Sequence, residues 1–260
     1  MPPVVLNLMI INGLLLLLKL SMDSDELGRN TLDTLLGLHV IGSPDFKPWQ
    51  FITHMFMHAG PGSEGWFLHI GMNMFALFMF GAPVERLWGG KRFLQYYLLC
   101  GLGAAALHLG VNYLEVTAHV NAFQAAGGDL QAVKQAVTVS HTSLAEANKV
   151  MNDMLVRDGV PMELATQVFF DYSGVMVGAS GAVFGILLAF GMMFPNVELM
   201  LLFFPFPIKA KYFVVLYGLF ELFAGLQQRA GDNVAHFAHL GGMIFGFFMI
   251  RHWKRRMELW

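Results

Sequence analysis

Residues 178–194 read GASGAVFGILLAFGMMF, an uncharged run that opens on Gly178-Ala179-Ser180-Gly181. A helix apolar on every side belongs in the core of a large protein or in a membrane. Composition chooses between them. The 260 residues are 56% hydrophobic and 13% charged, about half the charged fraction of an ordinary soluble domain. Working outward, comparable apolar runs lie at about Val4–Leu20, Trp66–Pro83, Phe93–Tyr113, Tyr212–Leu226 and Val234–Ile250. Each approaches the roughly 20 residues that cross a bilayer. The expectation is an all-α membrane protein, a bundle of six transmembrane helices forming one domain over residues 1–260.

Loop charges orient the bundle. Arg86, Lys91 and Arg92 follow the second span, Lys209 and Lys211 the fourth, and Arg251, Lys254, Arg255 and Arg256 the sixth. These segments fall on one side, which the positive-inside rule makes cytoplasmic. The first loop, with Asp23, Asp25, Glu26, Asp33 and Asp45 against Arg29 and Lys47, then faces outward, and both termini are cytoplasmic. Met1–Leu20 lacks a basic leader and a small-residue cleavage site, so it reads as a retained membrane helix. With no transit peptide, a bacterial plasma membrane is favoured. The single cysteine, Cys100, allows no disulfide framework and no cysteine metal site.

The outer segment 113–173 is too polar to cross. Leu130, Val133 and Val137 make one helical stripe, and Leu144, Ala147, Met151 and Met154/Leu155 another. Ser143 with Glu146 is a capping-box pattern, and Gly159 and Pro161 end that helix. Two or three amphipathic helices, on the bilayer or over the core, are expected; a solvated spacer is the alternative. In the first loop, the aromatic-rich Trp49–His54 suits the membrane interface.

With this topology Ser180 heads span four, and His239 lies at similar depth near the start of span six. Gly181/Gly185 and Gly242/Gly246 follow them as Gly-x-x-x-Gly pairs, which let helix backbones approach closely in lipid. Two parallel helices packed this way bring serine and imidazole together, the minimal arrangement for an activated hydroxyl nucleophile. At a helix N-terminus the Ser180 N–H has no intrahelical acceptor and sits at the positive end of the dipole. Span two adds His69 and Asn73 at i, i+4 on one face, level with the serine. Each piece alone has a plain structural reading: Gly-x-Ser-Gly as packing, a membrane histidine as a satisfied core residue, His69–Asn73 as an interhelical hydrogen-bonding pair. Their coincidence at one depth on three spans favours chemistry.

These residues resemble the rhomboid intramembrane serine proteases. The resemblance rests on His69-x-x-x-Asn73, the turn Gly81-x-x-Val84-Glu85, Gly178-x-Ser180-Gly181 and Ala238-His239-x-x-Gly242-x-x-x-Gly246. It implies a Ser180–His239 dyad without a third acidic member, acting through an acyl-enzyme. It assigns the oxyanion hole to His69, Asn73 and the Ser180 N–H, and helix packing around the site falls to Gly178, Gly181, Gly185, Gly242 and Gly246. The implied substrates are transmembrane segments of other membrane proteins, cleaved near the outer face; membrane lipids are the remaining partners, and no cofactor is implied. Two departures stand out: Trp49-Gln50 where the family often carries Trp-Arg, and the long 113–173 insert.

Other residues carry weaker claims. His236 is an alternative base, and Asp232 an alternative orienting acid. His54 and His58 have metal-like i, i+4 spacing, but Met55 follows where a zinc protease has its glutamate, so no metal is expected. Glu221 is a membrane-embedded carboxylate with either a bonding or a substrate-side role. No phosphate-binding loop or nucleic-acid patch is present. The competing functions are a non-proteolytic rhomboid-like protein that binds client transmembrane helices, and a transporter with Glu221 and His108 in a proton path. No inverted repeat supports the transporter.

Overall fold

The computed structural model describes residues 1–61, 63, 65–201, 204–227 and 235–256. The chain is mostly helical: α1 (Pro3–Leu20), α2 (Thr31–Leu36), α3 (Gln50–Thr53), α4 (Trp66–Ala76), α5 (Ala82–Trp88), α6 (Gly90–Ala125), α7 (Leu130–Val139), α8 (Leu144–Asp158), α9 (Met162–Ser173), α10 (Ser180–Met193), α11 (Ala210–Gln227) and α12 (His236–Arg256). A π-turn at Leu77–Gly81 joins α4 to α5, so one helix runs over Trp66–Trp88. Pro3–Leu20, Trp66–Trp88 and Gly90–Ala125 are long and apolar enough to cross a membrane.

Contacts divide the chain into two compact units. The first comprises Met1–Gly13, Leu68–His108 and the chain from Gly178 onward. Its centre is α10, buried from Gly181 through Leu187 and again over Ala189–Gly191, as a helix with no polar face requires. On α11, Val215, Leu216, Leu219, Phe220, Phe223 and Leu226 face outward, the pattern of a helix solvated by lipid. The Gly81-x-x-Val84-Glu85 motif, read from sequence as a turn, is helical and runs into α5, where Glu85 accepts from the backbone N–H groups of Val4 (2.9 Å) and Val5 (2.7 Å). Glu85 thereby satisfies two of the donors that the first turn of α1 leaves open and places a negative charge at the positive end of the dipole.

An antiparallel hairpin, β1 (Glu198–Leu201) with β2 (Phe204–Lys209), pairs Glu198 with Lys209 and Leu199 with Ile208. Its residues lie in an apolar run that reads as lipid-facing or core packing, and the backbone there is extended. Pro205 and Pro207 are the reason: proline forbids the helix and biases the residue before it to extended backbone.

The second unit comprises Leu14–Phe67 and Leu109–Val177, the first loop and the insert. The insert is no solvated spacer. Val116 and Phe123 of α6, Val133, Ala136 and Val137 of α7, Ala147, Met151 and Met154 of α8, and Ala165, Val168, Phe169 and Tyr172 of α9 form one hydrophobic cluster. The stripes legible at 130–137 and 144–155 are the faces buried there. Ser143 Oγ accepts from Glu146 N (3.2 Å), and Gly159 closes α8 in the left-handed conformation, φ 68°. The third apolar run extends past Tyr113 to Ala125 as one helix, because no glycine or proline lies between Tyr113 and Gly127-Gly128.

Polar bonds stitch the first loop to the insert. Ser43 Oγ donates to the Tyr172 carbonyl (2.7 Å), Arg29 Nη2 to Ser140 Oγ (2.9 Å), and His141 Nε2 meets Asp45 at 2.9 Å. Lys19 Nζ pairs with buried Asp33 (2.6 Å) and also donates to the His58 carbonyl. Gln50 of the Trp49-Gln50 pair is fully buried: it donates to Thr34 O and Asp45 O and accepts from Lys47 N. A neutral amide can do this inside the loop; a guanidinium, with no acceptor, cannot.

His54 is buried in the turn after α3 and donates from Nδ1 to the Gln50 carbonyl (2.8 Å). Burial holds its pKa down to about 4, against an opposing contribution from that bond. Burial lowers His39 as well. Below pH 6.5 the unfolded chain takes up protons that these folded imidazoles refuse, so stability falls as pH drops from 6.5 toward 4. The thermal midpoint in detergent should therefore decline between pH 7 and 4.5, and less steeply in His54→Gln; an equal slope in both proteins contradicts this.

Candidate active site

Ser180 is the first residue of α10 and half-buried. Gly178, just before it, has φ +132°, a backbone that L side chains rarely adopt. A Cβ there would stand 2.9 Å from His69 Nε2 and 3.6 Å from Ser180 Oγ. Gly178 thus keeps the close approach of this segment to His69 of α4 free of a side chain. It turns the chain into α10 and leaves room for the His69 imidazole beside the serine.

The α10–α12 contact is built on glycine. A Cβ on Gly242 would collide with the Gly181 carbonyl, and one on Gly185 would lie 3.1 Å from the Gly242 carbonyl and against Cys100 of α6. Gly181 abuts Ala104, and Gly246 abuts Tyr96. The spacing thus serves three helices, with α6 as the third.

At the head of that contact His239 Nε2 lies 2.9 Å from Ser180 Oγ. The His239 ring stacks on Phe184, centroids 4.1 Å apart and planes 5° from parallel. Phe184 is one turn below Ser180 on α10, so the serine and the ring's support share a helix face. Sequence reasoning passed over Phe184, although its i+4 spacing from Ser180 was visible.

Behind the ring, His239 Nδ1 donates to Glu221 Oε2 at 2.9 Å, and His236 Nδ1 meets the same oxygen at 2.7 Å. The resemblance implies no acid at this place. The two roles considered for Glu221 resolve to bonding: it is buried at 3% exposure, on the inner face of α11. Asp232, the other orienting acid considered, lies outside the described residues.

Glu221, His236 and His239 are also the described residues whose donor atoms gather closely enough to hold a metal ion. Two N–H···O bonds already account for that gathering.

On α4, Asn73 is buried one turn beyond His69 and donates from Nδ2 to the His69 carbonyl (2.8 Å). An amide nitrogen carries two protons, so one remains for another acceptor. Asn73 Oδ1 is buried without a hydrogen-bond partner among the described residues.

The arrangement can do acyl-transfer chemistry: a hydroxyl with a base on it, an imidazole held in plane, and helix-terminal donors. The rhomboid domain family model matches residues 45–145 and 154–255. No curated protein matches the chain.

Proposed function

Since the chain belongs to the rhomboid family and is an integral membrane protein with several apolar helices, we propose that it is an intramembrane serine endopeptidase acting through Ser180 and His239. The observation that carries this reading is the 2.9 Å contact of His239 Nε2 with Ser180 Oγ at the first turn of α10. His239 Nε2 takes the hydroxyl proton as Ser180 Oγ bonds to the substrate carbonyl carbon. The oxyanion accepts from the Ser180 N–H, with His69 and Asn73 as the side-chain donors. His239 then returns the proton to the departing amine, leaving an acyl-enzyme that water hydrolyses by the same steps in reverse.

The proposed setting is a six-helix bundle with both termini cytoplasmic and the site opening outward, as the loop charges argue. The 14 residues of α10 extend only about 21 Å at 1.5 Å each, against a hydrocarbon core of roughly 30 Å. A span that short supports a serine lying below the membrane surface. A helical substrate has its carbonyls bonded internally, so it must unwind to reach Ser180. Helix-weakening residues near the scissile bond lower that cost.

The test is labelling of the full chain in detergent with a fluorophosphonate, together with cleavage of a model transmembrane substrate in liposomes. Wild type should be labelled on Ser180 and cleave; Ser180→Ala should do neither while keeping its elution profile. A folded wild type that neither labels nor cleaves overturns the protease reading and favours a non-proteolytic protein that binds client helices.

A further inference from the structure

We propose that Glu221 is a positioning residue for the base, so that the working unit is Ser180–His239–Glu221; this rests on the protease reading above. A neutral imidazole carries one proton, and only the Nδ1–H tautomer leaves Nε2 bare for the Ser180 hydroxyl. Glu221 Oε2, 2.9 Å from His239 Nδ1, selects that tautomer. Phe184 fixes the plane of the ring, and Glu221 fixes its rotation within that plane.

The charge argument points the same way. When Nε2 takes the Ser180 proton, the Oγ–H bond breaks and an imidazolium forms. The Nδ1 proton stays on His239, and Glu221 remains a carboxylate throughout. The cation thus forms beside an anion at a site where Glu221 is 3% and His239 8% exposed, and such attraction strengthens away from water. His236 completes the device. Its Nδ1, 2.7 Å from the same Oε2, gives the buried carboxylate a second donor and holds it aimed at His239. An ionisable residue inside an apolar span calls for a reason of this kind.

Glu221→Gln and Glu221→Asp separate positioning from mere stability. In Glu221→Gln we expect kcat for the model substrate to fall about a hundredfold, with KM within about twofold and the thermal midpoint little changed. Glu221→Asp keeps the charge on a side chain one methylene shorter, so its kcat should lie between those of Glu221→Gln and wild type. A Gln variant within about threefold of wild-type kcat overturns the proposal. So does a loss of kcat that tracks loss of thermal stability equally in both variants.

If Glu221→Gln does not fold, the unmutated protein still decides. In the full chain labelled with 15N-histidine, His239, assigned by its loss in His239→Ala, should carry its proton on Nδ1. A bare Nδ1 overturns the role of Glu221. The two failures are distinct: wild type that labels on Ser180 while the Gln variant keeps full kcat removes only Glu221, whereas wild type that does not label removes the protease reading itself.

Discussion

His239→Ala is expected to lower kcat for a transmembrane substrate by a factor of 10³ or more, on the order of what removing a base from an acting unit costs. Without Nε2 at 2.9 Å, the Ser180 proton has no acceptor at neutral pH, and an un-ionised hydroxyl is a poor nucleophile. The fluorophosphonate reports the same step without a helical substrate, so its labelling rate should fall in parallel. Substrate binding should survive, because the imidazole is stacked against Phe184 and bonded to Glu221. The decisive comparison is His236→Ala, whose ring centroid is 6.4 Å from that of His239. A smaller loss there supports His239 as base, and the reverse order of effects exchanges the assignments.

Gly242→Ala is the second large effect, and its sign depends on a contest of magnitudes. Inside a helix, alanine is favoured over glycine by about 1 kcal/mol. At Gly242, however, the added methyl meets the backbone carbonyl of Gly181, and a backbone carbonyl cannot rotate aside as a side chain can. Overpacking of this kind costs about 1–3 kcal/mol or more, so the clash wins. It is relieved by moving α12 away from α10, which lengthens the contact between Ser180 and His239. The expected result is a lower thermal midpoint and a labelling rate at least tenfold slower, since a misplacement of about 1 Å can cost a hundredfold in rate. Gly110→Ala is the control: nothing lies within 4 Å of its added methyl, so it should be neutral or stabilising. Equal behaviour of the two variants refutes the close-contact account.

Several features were legible because they are local. The Gly-x-x-x-Gly pairs announced a close α10–α12 approach, and the stripes at 130–137 and 144–155 announced the faces that α7 and α8 bury. Ser143 and Gly159 are caps whose chemistry acts within one turn. Other features were not. The hairpin at Glu198–Lys209 is hidden in an apolar run, because burial looks alike in strand and helix over so few residues. The left-handed backbone of Gly178 shows only once His69 is seen against it.

The amino-acid sequence by itself determined the membrane character of the chain, the candidate serine and histidine, and the small residues that let two helices meet. Composition, period and spacing suffice for these, since each is a property of neighbouring residues. Only the tertiary structure decided that Glu221 stands behind His239 and Phe184 beneath it, and that the insert packs with the first loop. Glu221 and His239 lie on different helices, and whether their side chains meet depends on how α11 and α12 are rotated and crossed. That is settled by packing over the whole unit, which no short window of sequence contains.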